Sequence, residues 1–153
     1  MDLSNKTIDF LNDKNIKFER IVLEREPKWA DDIVKLYWLN LNQILKTLLF
    51  IWKEPVLLVL PWNKKVDLKK LKKILNIKNI RIASFDEVED ITWYKVNGIW
   101  PFGFDKKIRK IIDKKSFEVE NVSIWSGEAK IWLLLKSSDL KKIWDGEIGD
   151  FSK

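Results

Sequence analysis

An α+β fold is predicted by three features of this sequence: a single domain over residues 1–153, with short helices flanking a mixed, largely antiparallel, curved β-sheet. First, 153 residues suffice for one buried core but not for two independent ones. Second, apolar runs of strand length are interspersed with helix-period segments, without the regular strand–helix alternation of a doubly wound sheet. Third, several of those runs are separated by turns short enough to make hairpins. Hydrophobic residues make up 46% and charged residues 34% of the chain, both spread along its length, and no repeat or low-complexity linker interrupts them.

Ser4 is a suitable N-cap for a first helix that puts Ile8 and Leu11 on one face, and Phe18 to Leu23 then alternates as a strand. Ala30 to Tyr37 reads as a short helix. The apolar run Gln43 to Ile51, interrupted by Lys46 and Thr47, and the run Pro55 to Leu60 form a buried hairpin across a short turn. Asp67 to Leu75 has the period of an amphipathic helix, with Leu68, Leu71, Ile74 and Leu75 inward and lysines outward. Ile80 to Ala83 is a short strand, and Ser84 with Glu87 matches a capping box opening another helix. Thr92 to Gly103 is a loop. Strands are expected at Ile108 to Ile112, Phe117 to Ile124 and Ala129 to Leu135, and a last helix from about Ser138.

The composition narrows the chemistry. There is no cysteine and no histidine, so disulfides, a thiolate nucleophile, cysteine-ligated zinc and an imidazole base are all excluded. No metal or cofactor is implied. No apolar run approaches the roughly 18–20 residues of a membrane span, and the opening segment lacks the pattern of a signal peptide. A soluble, cytoplasmic protein, monomeric and without membrane contact, is expected. The net charge is +6, and Lys-Lys pairs recur at 64–65, 69–70, 72–73, 106–107, 114–115 and 141–142. Each pair alone reads as a solvated face; their sum leans toward an anionic partner such as RNA.

Two segments carry candidate chemistry. In Q-I-L-K-T-L-L-F-I, Lys46 has apolar neighbours whichever face of the strand is buried. Burying an ammonium without a partner is costly, so either the lysine has a use or it guards an exposed strand edge, and the strand alone leaves both readings open. The second segment is Thr92 to Gly103, in which Gly98 and Gly103 permit close backbone approach to a ligand and Pro101 stiffens the loop between them. A plain connecting loop is the competing account.

These segments, with F-E-R-I, P-V-L-L-V-L-P, V-D-L-K-K-L, R-I-A-S-F-D-E-V, G-I-W-P-F-G, I-I-D-K-K-S-F and W-S-G-E-A in this order, resemble the YbaK/ProX aminoacyl-tRNA editing family from about residue 7 to residue 148. The resemblance implies a deacylase that hydrolyses the ester bond of mischarged tRNA in trans. The wrong amino acid would be alanine, cysteine, serine or threonine in connection with proline coding. The implied partners are the aminoacylated 3′ end of tRNA and an aminoacyl-tRNA synthetase. It makes Lys46 the catalytic candidate and places substrate contacts on Thr47, Gly98, Ile99, Pro101, Phe102, Gly103, Asp113, Ser126 and Gly127. A non-catalytic tRNA-binding or synthetase-associated module of the same fold is the alternative.

Nine tryptophans against five glycines invert ordinary usage, in which glycine alone is about 7% of residues. Trp62 follows Pro61 where a type II turn calls for glycine at positive φ. Trp38 stands just past a helix, where glycine caps, and Trp52 is at a hairpin tip. Trp93, Trp100 and Trp125 lie where the family pattern has, or accepts, a small residue. The positions predict that most of these tryptophans are glycines in the source organism, with UGA read as glycine. Core packing, the account kept for Trp132 and Trp144, and exposed stacking on RNA bases compete with it.

Overall fold

The computed structural model describes residues 3–26, 32, 39–96, 98–104, 108–128 and 130–153. The helix expected over 30–37 and the Trp38 position lie outside the described residues, Asp32 apart. The elements run α1 (Leu3–Asp13), β1 (Phe18–Val22), β2 (Leu45–Ile51), β3 (Pro55–Pro61), α2 (Leu68–Leu75), β4 (Arg81–Ile82), α3 (Phe85–Thr92), β5 (Arg109–Asp113), β6 (Asn121–Trp125), β7 (Ile131–Lys136), α4 (Ser137–Ile143) and β8 (Glu147–Gly149). Short 3-10 turns cover Leu41–Gln43 and Lys114–Phe117.

The α+β expectation holds, but the strands form two sheets rather than one. A five-stranded mixed sheet has the order β4-β2-β3-β5-β8, and a three-stranded antiparallel sheet has the order β1-β7-β6. They meet at an isolated Ile44–Ser123 bridge. The β2–β3 hairpin pairs Lys46 with Leu60 and Thr47 with Val59. On its other side β3 runs parallel to β5, so the P-V-L-L-V-L-P run is central and buried on both faces, which is why it is continuously apolar rather than alternating. Side chains from both sheets, among them Leu45, Val59, Ile112, Val122 and Leu133, share one core cluster with Leu11 of α1.

Local chemistry explains most element ends. Asp67 caps α2 by accepting from the Lys69 and Lys70 N–H groups, and Asn76 closes it in the left-handed region at φ 55, a conformation asparagine tolerates. Ser84 and Glu87 form the expected capping box, worth about 1 kcal/mol. Arg81 hydrogen-bonds the same Glu87 carboxylate and, with the Ser84 N–H, lowers its pKa to about 2. The box's charge is therefore complete above the ordinary carboxylate range and is lost only as pH falls through about 2.

Several expectations are corrected. Ser4 lies inside α1 rather than at the N-cap position expected for it. Leu68 is 42% exposed, because the Asp67 cap sets it at the first helical position, where it ends the i, i+3, i+7 stripe that buries Leu71 and Leu75 and overhangs the core. The strand expected from Phe117 starts only at Asn121, since Asp113 caps a 3-10 turn over Lys114–Phe117. Strand β8, unforeseen, runs parallel to β5. Gly146 leads into it, where a Cβ would lie 2.5 Å from the Lys110 carbonyl oxygen. Among the described residues no helix is long and apolar enough to cross a membrane.

Candidate functional site

Lys46 projects from β2 on the face opposite Leu45 and Thr47. It is half-buried, its Nζ donates to the Trp62 carbonyl oxygen at 3.3 Å, and it sits 5.8 Å from the centre of the Trp62 ring. Among the described residues no carboxylate forms an ion pair with it. Burial, with the like charge of Lys65 as the smaller cause, holds its pKa below the ordinary lysine value. The ammonium is thus partly stripped of water and not neutralised by a counter-ion, which is the state suited to receiving an anion. A side-chain ¹³Cε titration should give Lys46 a midpoint below the ordinary lysine value, and Lys65→Gln should raise it. An unchanged midpoint in that variant would remove Lys65 from the account.

The Gly98–Gly103 loop is held by its side chains. Ile99 is buried beside Leu49, Leu57 and Val88, while Trp100 and Phe102 pack with Leu45 and Val59 and stack around Phe10. Gly103 is exposed with φ 75, whereas Gly98 is buried. Sequence reasoning missed the clamp beneath this loop. Lys110, buried on β5, donates to the Pro101 carbonyl oxygen at 2.7 Å, pairs with Asp145, and lies between the rings of Phe102 and Trp144 at 4.7 and 4.8 Å. Its pKa is lowered by burial, against the opposing pull of Asp145. The available signal was the one that marked Lys46, a lysine inside an apolar strand. Lys110→Met should leave the Pro101 carbonyl without its donor and cost about 1–3 kcal/mol, read as a lower thermal midpoint; an unchanged midpoint would show that the loop does not depend on the clamp.

The remaining expected site residues separate. Thr47 is buried on the opposite face of β2 from Lys46. Ser126 is fully buried; its Oγ donates to the Ile131 carbonyl oxygen at 2.8 Å and accepts from the Glu128 N–H at 3.3 Å, shaping the turn in which Gly127 takes φ 100. Asp113 is fully buried and accepts three backbone N–H groups, those of Lys115, Phe151 and Ser152, at 2.9–3.0 Å. Its carboxylate ties the C-terminal residues to β5.

A cavity of about 650 Å³ opens between the end of α3, the loop before Gly98 and the β6–β7 turn, with Glu89, Trp93, Tyr94, Gly98, Gly127 and Lys130 in its wall. Two expected residues, Gly98 and Gly127, meet there; Lys46, Thr47, Ile99, Pro101, Phe102, Gly103, Asp113 and Ser126 are not in its lining. Lys46 lies over Trp62, Trp62 meets Trp125 edge-on at 5.4 Å, and Trp125 stands two residues before Gly127.

A family model described as an aminoacyl-tRNA editing domain matches residues 27–143. Over 96 residues, 61% of this chain, it is 28% identical to proline–tRNA ligase of Aquifex aeolicus (strain VF5), of whose length it spans 17%. Over 137 residues, covering 84% of both chains, it is 22% identical to a protein of Enterococcus faecalis (strain ATCC 700802 / V583) provisionally named Cys-tRNA(Pro)/Cys-tRNA(Cys) deacylase EbsC. Among solved structures, one provisionally described as a trans-editing enzyme for prolyl tRNA synthetase superposes with a TM-score of 0.87 at 16% identity, covering 100% of this chain and 98% of that one.

Proposed function

The chain belongs to the aminoacyl-tRNA editing domain family, and from that premise we propose that it hydrolyses, in trans and in the cytoplasm, the ester bond of a mischarged tRNA. The observation that carries this reading is the half-buried Lys46 ammonium with its single backbone partner at Trp62. Water attacks the ester carbonyl, the tetrahedral oxyanion collapses, and the ribose 3′ oxygen leaves with a proton drawn ultimately from the water. Free amino acid and tRNA are the products. A fixed positive charge beside the developing oxyanion lowers the barrier without histidine or cysteine, and the same ammonium is available to the terminal phosphate.

In this reading the Gly98–Gly103 backbone, with Thr47 and Ser126 behind it, shapes the site that receives the aminoacyl group. Similarity to a proline–tRNA ligase and to a protein named for Cys-tRNA(Pro) supports tRNAs of proline coding and, among the wrong amino acids, cysteine; alanine, serine and threonine rest on the family resemblance. Pocket size would separate them, at roughly 1–3 kcal/mol per methylene. The net charge of +6 supplies the attraction to tRNA and predicts binding that weakens steeply with salt. The non-catalytic tRNA-binding reading is favoured by one observation: the Trp62 indole covers Lys46, and the Trp125 indole packs against it. Deacylation of alanyl-, cysteinyl-, seryl-, threonyl- and prolyl-tRNA tests the two, using the chain as it stands and with glycine at 62 and 125. Selective release of one wrong amino acid supports editing; no release by either folded form leaves the binding module.

A further inference from the structure

Tryptophan is unsuited to two of its positions here, for physically different reasons, and at a third it covers the candidate catalytic side chain. Among the described residues the non-glycine positions with positive φ are Asn15, Asn76 and Trp93. Asparagine tolerates that region, but a bulky aromatic is strained in it. Trp93 caps the C-terminus of α3 at φ 66 and is 82% exposed, so little packing offsets the strain, and glycine is the usual residue at such a helix end.

Trp125 is 5% exposed and its indole N–H finds no acceptor; neither does that of Trp132, its cross-strand partner, 4.6 Å away between ring centres. A buried indole N–H normally has a partner, and leaving one without costs about 1–3 kcal/mol. The contrast is Trp144, whose N–H donates to the Glu147 carbonyl oxygen at 2.9 Å and which suits its place.

Trp62 does not take the positive φ expected of its turn. Its side chain matters instead: it covers Lys46 and abuts Trp125. The Trp62 indole thus covers the Lys46 ammonium, and the Trp125 indole packs edge-on against that cover.

We propose that Trp62, Trp93 and Trp125 stand at glycine positions, their codons being UGA read as glycine in the source organism. We further infer that removing the Trp62 indole over Lys46, with the Trp125 indole packed against it, opens the subsite for the amino-acid end of the substrate. The second half rests on the editing reading; the first stands without it. With glycine at 125 the Trp132 ring that now packs against Trp125 becomes a wall of the opened space, and its N–H gains access to solvent or ligand. With glycine at 62 the carbonyl that holds Lys46 remains while the cover over it is gone.

The gene's codons come first: UGA at 62, 93 and 125 is expected, and UGG at these positions overturns the proposal. Trp93→Gly should raise the thermal midpoint, and a lower midpoint counts against glycine there. The subsite is tested with 3′-alanylamino-3′-deoxyadenosine, an amide analogue of an aminoacylated 3′ end that cannot be hydrolysed as an ester. Trp62→Gly/Trp125→Gly should bind it at least tenfold more tightly than the parent, and adding Lys46→Ala should abolish the gain. Equal binding by the parent overturns the inference. Should the double variant fail to fold, Trp62→Gly alone carries the same comparison, since that residue is half-buried and outside any strand. Lys46-dependent binding of the analogue without hydrolysis of any aminoacyl-tRNA would sustain the subsite while removing the editing reading.

Discussion

Lys46→Ala, placed in the form of the protein that hydrolyses mischarged tRNA, is expected to reduce kcat by about 10²- to 10³-fold, the usual consequence of removing one group that stabilises an oxyanion. The fold should survive. Lys46 has no carboxylate partner among the described residues, and burial already disfavours its charge, so losing it removes a desolvation penalty rather than an ion pair. Measured together, a retained thermal midpoint and lost turnover assign Lys46 to the chemistry. Turnover within a factor of about three of the parent would transfer oxyanion stabilisation to the Gly98–Gly103 backbone.

Asp113→Ala is expected to have the largest effect on stability. The substitution strands three backbone N–H groups, two of them the buried ones of Phe151 and Ser152. At about 1–3 kcal/mol for each stranded group, a loss of several kcal/mol follows, or on the order of 10 °C in the midpoint for a chain of this size. Asp113→Asn keeps one acceptor oxygen and should fall between the parent and the alanine variant. The pair of variants separates two roles for this residue. Loss of midpoint with turnover per folded molecule preserved identifies Asp113 as the tie between β5 and the C-terminal segment. An unchanged midpoint with turnover lost would return it to the substrate contacts that the family resemblance implied.

Asp113 also shows where sequence reading stops. It was singled out by its place in a motif, and its acceptors' donors lie 38 and 39 residues later, beyond the reach of any local pattern. Lys110 escaped notice for a related reason: its partners, Pro101 on one side and Asp145 on the other, are 9 and 35 residues away. Local chemistry was legible where both partners lie within one turn and form a recognised pairing, as with Ser84 and Glu87. The β2–β3 hairpin was equally plain, because its two apolar runs are separated by a connection too short for anything else. Strand β8 was not, since Glu147–Gly149 carries no apolar alternation and owes its conformation to pairing with β5.

By itself, then, the sequence established the fold class, the hairpin that carries Lys46, the capped helices, the family, and the oddity of its tryptophans. Each of these is written in local periodicity, in short-range hydrogen-bonding chemistry or in the order of motifs along the chain. Three-dimensional packing alone brought Gly98 and Gly127 to one cavity, took Asp113 away from it to hold the C-terminus, set Lys110 under the Pro101 loop, and laid Trp62 over Lys46 with Trp125 edge-on against it. Those relations depend on which distant segments come into contact. Burial and hydrogen-bond satisfaction choose among such contacts only when the whole core closes at once.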